Sequence, residues 1–223
     1  MSEKKNDHEM NQDELDGIVG GMDSVSGTDG DDTLSYYGYS DGVVMDGGDG
    51  DDQMEAQGYT NDVLYGGDGD DTMDGGHKDD YVDGGSGDDS IMGGSGDDTL
   101  MGGDGNDVIV GGDGNNYYDD DRIDGGRGDD TMSGAGGSDV FVFNRASGDD
   151  VITDFDPNND TFEFQGIHEG DELTVTTDDD GNTVVHFGDA TVTLQGVSLT
   201  LEEVQSLAGF EPESDSGGSG KVF

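Results

Sequence analysis

The sequence predicts an all-β protein in which a solenoid of very short strands is followed by a β-rich capping segment. Six nonapeptides follow one another without a gap from Gly66 to Asp119. Glycines and aspartates recur at fixed positions within them, and an apolar residue recurs near the end of each. After Asp139 the pattern changes to longer runs of alternating apolar residues. A nine-residue period is too short for a globular unit, but stacked units can share one core.

Composition alone favours a disordered chain. Only 28% of the residues are hydrophobic, 44 of 223 are glycine, and the formal net charge is −49. Low hydrophobicity with high net charge leaves too little apolar surface to offset the entropy of ordering a chain. The regular spacing of the acids and glycines argues against disorder. The same acids, which outnumber Lys and Arg by 56 to 7, exclude nucleic acid as a partner and suit a hard cation.

Extending the register in both directions gives twelve units of the form GGxGxDxUx, in which U is apolar. The units begin at Gly27, Tyr37, Gly47, Gln57, Gly66, Gly75, Gly84, Gly93, Gly102, Gly111, Gly125 and Gly134. Glycine occupies the first position in ten units and aspartate the sixth position in ten. Single extra residues loosen the first four units, and about five residues interrupt the chain after Gly111.

Each position in the unit has a physical reason. Glycine permits the backbone angles of a tight turn over the first six residues, whose carbonyl oxygens then face inward. The last three residues form a short strand, and alternation sends the eighth side chain into the core. We predict that two units make one coil, with two sheets facing each other across the eighth-position residues. These are Leu34, Val44, Met54, Leu64, Met73, Val82, Ile91, Leu100, Ile109, Tyr118, Met132 and Phe141.

This pattern resembles the RTX (haemolysin-type) calcium-binding repeat over residues 27–142. The resemblance implies a parallel β-roll with calcium between neighbouring turns, held by sixth-position side chains and turn carbonyls. The residues it assigns to calcium are Asp32, Asp52, Asp62, Asp71, Asp80, Asp89, Asp98, Asp107, Asn116, Asp130 and Asp139. One row would contain Asp71, Asp89 and Asp107, and the other Asp80, Asp98 and Asn116.

Several positions depart from the pattern. Gly42 supplies no carboxylate at a sixth position, and Lys78 replaces a fourth-position glycine, so we expect the unit beginning at Gly75 to bind weakly or to bend. Around Gly111 the alignment is ambiguous, since Asp121 and Ile123 fit the roles given to Asn116 and Tyr118.

The segment 143–210 resembles the C-terminal cap of RTX proteins, with an independent ligand-binding β-domain as the alternative. A turn is predicted from Asp178 to Gly181, between two segments in which apolar and polar residues alternate. Thr200 and Glu203 form a capping box that predicts a short helix ending at Gly209. Residues 211–223, rich in glycine and serine, are expected to be a disordered tail.

Residues 1–21 resemble a double-glycine leader of the bacteriocin type. Glu14, Leu15 and Ile18 precede the pair Gly20 and Gly21 at the spacing of a short amphipathic helix. The resemblance implies docking on an ABC exporter with a peptidase domain and cleavage between Gly21 and Met22. The alternative is a frayed amphipathic N-terminus. No apolar run is long enough for a membrane span.

No catalytic constellation is apparent in the sequence. The four histidines lack zinc-site spacing, cysteine is absent, and calcium ligation accounts for the many carboxylates. We therefore expect no enzyme activity. The leading hypothesis is a secreted calcium-binding β-roll protein, exported by type I secretion, that folds on extracellular calcium in a structural or surface-interaction role. The alternative is a bacteriocin-like effector or toxin that uses the roll, residues 22–142, as a scaffold.

Overall fold

The computed structural model describes residues 23–39, 42–112, 118–166, 172–209 and 220–221. The chain winds into a parallel β-solenoid of about seven turns, so the predicted all-β β-roll is confirmed. Successive strands alternate between two sheets, and each strand pairs in parallel with the strand two places later in the chain. The predicted leader residues Gly20, Gly21 and Met22 lie outside the described residues.

The first sheet, sheet I, contains eight strands. They are β1 (Asp23–Ser26), β3 (Val43–Asp49), β5 (Val63–Asp68), β7 (Tyr81–Ser86), β9 (Thr99–Asp104), β11 (Arg122–Arg127), β13 (Val140–Phe143) and β15 (Thr161–Phe164). Parallel stacking continues through β15, beyond residue 142, where the sequence pattern loosens.

The opposite sheet, sheet II, begins with seven parallel strands. They are β2 (Thr33–Tyr36), β4 (Gln53–Ala56), β6 (Thr72–His77), β8 (Ser90–Ser95), β10 (Val108–Gly112), β12 (Thr131–Ser133) and β14 (Asp149–Ile152).

A thin apolar core lies between the sheets, built from one or two inward side chains per strand. Leu64, Val82 and Leu100 are in register on sheet I, and Met73, Ile91 and Ile109 on sheet II, all at most 2% exposed. Ten of the twelve predicted eighth-position residues occupy this core, and two do not. The regular spacing of the units therefore predicts the core well wherever the nine-residue period is unbroken.

The prediction for Val44 is wrong by one residue, because Val44 is half-buried while its neighbours Val43 and Met45 are fully buried. Strand β3 runs on to include Gly47, whose own position in the unit faces inward. Period-two alternation counted back from Gly47 therefore directs Met45 and Val43, not Val44, into the core. Val43, rather than Gly42, then occupies the sixth position of that unit.

The prediction for Tyr118 is also wrong, because this residue is 87% exposed. Ile123 takes the core position, in register with Leu100. Regular units place the eighth residue two before the next first-position glycine, and only Ile123 has that spacing to Gly125. Asn116 lies outside the described residues, and Asp121 occupies the sixth position of this unit.

Lys78 does not break the roll. It adopts φ +83°, a left-handed angle that the fourth-position glycines also reach, and β6 remains paired with β8 through His77 and Ser95. The expected bend at this unit is therefore not seen. A left-handed angle is costly for a residue with a β-carbon, so Lys78 carries local strain.

The C-terminal segment continues sheet II rather than forming a separate layer. Strand β18 (Ala190–Leu194) pairs in parallel with β14. Strands β17 (Thr183–Phe187) and β16 (Glu172–Thr177) follow in antiparallel order. The short strand β19 (Gly220–Lys221) pairs with β16, inside the tail that the sequence suggested is disordered; the rest of that tail lies outside the described residues.

Aromatic side chains fill the wider core at this end. Phe155 stacks on Phe162 with ring centroids 4.5 Å apart, and Phe164 contacts Phe187 at 5.0 Å. The predicted helix is present as α1 (Leu201–Leu207). Its N-cap, Thr200, and Glu203 form the predicted capping box, and Gly209 follows with φ +72°. The aromatic cluster and helix close this end of the solenoid, as repeat arrays require.

Candidate metal centre

Thirteen buried aspartates form two rows, one along each edge of the roll. Those of row 1 stand at the start of successive strands of sheet II, and those of row 2 at the start of strands of sheet I. Row 1 contains Asp32, Asp52, Asp71, Asp89, Asp107, Asp130 and Asp150. Row 2 contains Asp62, Asp80, Asp98, Asp121, Asp139 and Asp160. None is more than 5% exposed.

One oxygen of each carboxylate is part of the structure of the roll. The backbone N–H of Asp71 donates to Oδ1 of Asp89 at 2.8 Å, and that of Asp89 donates to Oδ1 of Asp107 at 2.8 Å. The same bond repeats along both rows, each time linking one coil to the next. The N–H of Val43 donates to Asp62 in this way although Val43 itself has no carboxylate. The sixth-position aspartate thus ties neighbouring coils together.

The second oxygen, Oδ2, has no hydrogen-bond partner in most of these aspartates. The buried and unsatisfied Oδ2 atoms belong to Asp52, Asp71, Asp80, Asp89, Asp98, Asp107, Asp121, Asp130 and Asp150. Leaving a buried polar atom unsatisfied costs free energy, and a buried charge costs more. Nine repetitions of one orphaned atom indicate a missing positive partner at each position.

Main-chain carbonyls line the space that these oxygens face. A β-carbon placed on Gly84 would collide with Oδ2 of Asp89 in its own unit, and would lie 2.5 Å from the carbonyl oxygen of Gly102 in the next coil. The same arrangement surrounds Gly66, with Asp71 and the Gly84 carbonyl. Only the missing side chain of glycine leaves this space open. Oxygen ligands from carboxylates and carbonyls are the ligands that calcium prefers.

Burial raises the pKa of most of the row aspartates, including Asp71, Asp89 and Asp80. Desolvation is the main cause, opposed by the backbone hydrogen bond, and neighbouring aspartates raise the pKa further. The pKa reaches about 6 for Asp71, about 7 for Asp89 and about 9 for Asp80. A raised pKa shows that the negative charge is poorly stabilised by the protein alone. A bound cation would relieve this.

A second, exposed ladder of side chains runs beside row 1. The N–H of Asp70 donates to Oδ1 of Asp51, that of Asp88 to Asp70, and that of Asn106 to Asp88, at 2.8–3.0 Å. These bonds point toward the N-terminal coil, whereas those of the buried rows point toward the C-terminal coil. Side chains at the fifth position therefore accept hydrogen bonds from the following coil, and those at the sixth position accept them from the preceding coil. Both positions concentrate negative charge along the turns.

In the described part of the chain, no three His, Cys, Asp or Glu side chains converge on one point. A cation between the coils would therefore draw on main-chain carbonyls as well as carboxylates. With the orphaned Oδ2 atoms and the glycine-lined space, the residues present fit calcium. The row Oδ2 atoms that have no hydrogen-bond partner, together with the first-position carbonyls, would hold it.

The structure brings together ten of the eleven residues assigned to calcium from the sequence, in two rows as expected. Row 2 continues from Asp98 to Asp121, which takes the place given to Asn116. Sequence reasoning missed Asp150 and Asp160, which extend the rows beyond the glycine-rich units. The signal was present, because Asp150 and Asp160 each stand two residues before an inward apolar residue, Ile152 and Phe162.

The arrangement defines a class of protein, a parallel β-solenoid built around rows of oxygen ligands. The family model that describes the RTX calcium-binding nonapeptide repeat, in four copies, matches residues 19–35, 46–82, 57–91, 83–118 and 117–141. These segments cover just over half of the chain. The chain therefore belongs to the RTX calcium-binding repeat family and is a calcium-binding β-roll protein. No protein among those that have been curated matches its sequence.

Solved structures that this chain is similar to include the extracellular lipase LipA from Serratia marcescens. It is 21% identical, with a TM-score of 0.43, over 79% of this chain and 38% of the lipase. The AlgE6R3 subunit of the mannuronan C5-epimerase from Azotobacter vinelandii is 27% identical, with a TM-score of 0.23, over 66% of this chain and 87% of that chain. The chain thus spans well under half the length of the lipase it resembles.

Proposed function

We propose that this protein is a secreted calcium-binding β-roll that folds when it binds extracellular calcium and then serves a structural or surface-interaction role. The observation that carries the proposal is the set of nine buried Oδ2 atoms without a partner. Without a cation, the folded roll must bury these charges unsatisfied. When a cation is bound, the same Oδ2 atoms become its ligands.

Calcium is far more concentrated outside a cell than in its cytosol, so calcium-dependent folding acts as a switch between the two. Extracellular calcium modules have dissociation constants of about 10⁻⁴ M. Millimolar calcium therefore stabilises the folded state by about 1.5 kcal/mol for each site. Several sites together shift the folding equilibrium of a repeat array decisively. In cytosolic calcium the same sites stay empty, and the chain, with its net charge of −49, repels itself.

An unfolded chain inside the cell is compatible with export. Passage through an ABC exporter with a peptidase domain, with cleavage between Gly21 and Met22, would deliver an unfolded chain to millimolar calcium. In the described part of the chain, no helix has the length and apolarity needed to cross a bilayer. The intact mass of the secreted protein tests the cleavage site, and a mass that retains Gly20 and Gly21 would contradict it.

A binding role rather than an enzymatic one is part of this proposal. The Oδ1 atoms of the buried aspartates accept coil-to-coil hydrogen bonds, and in most of them the other carboxylate oxygen is available to a cation. Outward-facing tyrosines support a surface-interaction role. Those between 42% and 87% exposed are Tyr37, Tyr39, Tyr59, Tyr65 and Tyr118.

Calcium titration of the full chain tests the proposal directly. We expect far-UV circular dichroism to show β-structure appearing cooperatively with calcium, and small-angle scattering to show compaction. Magnesium is the matched control, because it demands compact octahedral geometry and keeps its waters, so it should not induce the fold. The same compact structure in the presence of a chelator would contradict calcium-dependent folding.

A further inference from the structure

Most aspartates at the ends of the two rows differ from those within the rows in the hydrogen bonds that their second carboxylate oxygen accepts. In Asp32, Asp62 and Asp160, the terminal members, the second carboxylate oxygen is satisfied by the protein itself. Thr28 donates to Oδ2 of Asp32 from its N–H at 2.6 Å and from its hydroxyl at 2.8 Å. The hydroxyl of Thr60 donates to Oδ1 and Oδ2 of Asp62 at 3.0 and 3.3 Å. Nine other row members have no such donor to Oδ2.

The other end of row 2 is closed by the backbone. The N–H of Asp156 donates to Oδ2 of Asp160 at 2.8 Å, while Oδ1 of Asp160 accepts the N–H of Asp139 at 3.1 Å. Both oxygens of Asp160 therefore have donors. A carboxylate whose oxygens both accept hydrogen bonds is stabilised without a cation.

Row 1 ends differently, because Asp150 remains open. Asp150 is 1% exposed, and its Oδ1 accepts the N–H of Asp130 at 3.0 Å, as in the rows before it. Its Oδ2 has no partner. Oδ2 of Asp130, in the preceding coil, has no partner either. Two buried carboxylates in adjacent coils, each with an unpartnered oxygen, are a place for a cation.

Asp150 also lies outside the repeats. The match to the family ends at residue 141, and no glycine pair opens the turn before Asp150. The fourth position of this turn is nevertheless preserved, since Gly148 has φ +106° and packs on the carbonyl of Gly128 in the preceding coil, while Arg145 stands at the first position.

We infer that protein donors, and not the repeat pattern, set the limits of the calcium rows. Row 1 extends past the repeats to Asp150, and row 2 begins at Asp80. Asp32, Asp62 and Asp160 take no calcium, and the hydroxyls of Thr28 and Thr60 act as stops at the N-terminal end. This inference rests on the proposed calcium binding, and it assigns ligands that the repeat pattern alone places differently.

Counting calcium ions at the C-terminal end tests the inference. We expect the full-chain variant Asp150→Asn to bind one calcium ion fewer than the wild type, measured by isothermal titration calorimetry and equilibrium dialysis. The matched variant Asp160→Asn should bind the wild-type number. An unchanged number for Asp150→Asn, or a loss of one ion for Asp160→Asn, would overturn the inference.

A gain of binding tests the N-terminal stop. Thr60 is not in a left-handed conformation, so alanine fits its backbone, and Thr60→Ala removes the donor from Asp62. We expect this variant to bind one more calcium ion than the wild type, while Thr60→Ser keeps the hydroxyl and binds the wild-type number. No gain in a variant whose circular dichroism matches the wild type in calcium would refute the role of Thr60.

Calcium binding itself and the limits of the calcium rows can be tested separately. If the wild-type chain binds no calcium, the proposed function is wrong. If it binds calcium and folds, but the variants at Asp150, Asp160 and Thr60 give the contrary counts, only the limits of the rows are wrong. The N-terminal and C-terminal variants are independent of each other because they lie at opposite ends of the roll.

Discussion

At the scale of single residues, glycine and aspartate depend on each other. The aspartate can turn its Oδ2 toward the next coil only because the first-position glycine has no β-carbon there. Other glycines allow the backbones of adjacent coils to approach. A β-carbon on Gly103, which has φ +119°, would collide with the carbonyl oxygen of Gly85 in the coil before it.

Replacing Gly103 by alanine should therefore destabilise the calcium-loaded roll. An alanine forced into a backbone region reserved for glycine costs about 1–3 kcal/mol, and the collision adds to that. Gly30→Ala is the matched control, because Gly30 also lies in a turn but a β-carbon there meets nothing within 4 Å. We expect it to change stability by less than about 0.5 kcal/mol. Urea unfolding in saturating calcium measures both, and equal losses would contradict the close approach of coils.

At the scale of strands, most strands of the regular repeats contribute a single apolar side chain to the core. In β10, Ile109 is fully buried between the sheets, while its neighbour Val108 is 48% exposed on the outer face. Each strand is too short to hold its shape alone and is stabilised by the strands above and below it. The stack therefore gains its stability from the inward column and from the backbone bonds between coils.

Truncating the inward residue of β10 should have a much larger effect than truncating its outward neighbour. Ile109→Ala removes a fully buried side chain and is expected to cost about 2–5 kcal/mol. Val108→Ala, in the same strand, should cost less than about 1 kcal/mol, because it changes only strand propensity and an exposed contact. The free energy of unfolding in saturating calcium distinguishes the two. Similar losses would contradict a core packed on one face of the strand, and a larger loss for Val108→Ala would mean that the strand faces the opposite way.

At the scale of the whole molecule, electrostatics decides whether the roll forms. The carboxyl pKa values of Asp71, Asp89 and Asp80 rise from 3.8 to about 6, 7 and 9 on folding. Between the unfolded and folded pKa values, the metal-free folded state binds more protons than the unfolded chain. Its stability is therefore greatest below about pH 4 and is lost as the pH rises through the folded pKa values.

Mild acid should accordingly replace calcium in part. In calcium-free buffer, we expect more β-structure by circular dichroism near pH 5 than near pH 8, because protonation removes the unsatisfied charges. Calcium binding should show the opposite trend, with a higher midpoint at lower pH, since protons compete for the carboxylates. Asp80→Asn, which removes the carboxyl with the highest of these pKa values, should flatten the pH dependence. A calcium-free protein more folded at pH 8 than at pH 5 would contradict this account.

Much of the site could be predicted because the repeat is regular. Where units follow one another without insertion, as from Gly66 to Val110, counting positions identifies Asp71, Asp89 and Asp107 as neighbours. Counting fails where residues are inserted, because several alignments then fit the same letters. Val44 and Tyr118 were misplaced for this reason. Three-dimensional pairing resolves the choice, since each strand must keep its inward residue in register with the coil before it.

The sequence by itself determined the solenoid, the calcium chemistry and most of the aspartate rows, because a short period forces every unit into the same conformation. Only the tertiary structure decided where the rows end. Whether a buried carboxylate oxygen meets a threonine hydroxyl, a backbone N–H or open space depends on contacts that no repeat pattern records. Asp62 and Asp80 occupy equivalent positions in the repeat, yet Oδ2 of Asp62 accepts the hydroxyl of Thr60, whereas Oδ2 of Asp80 has no partner.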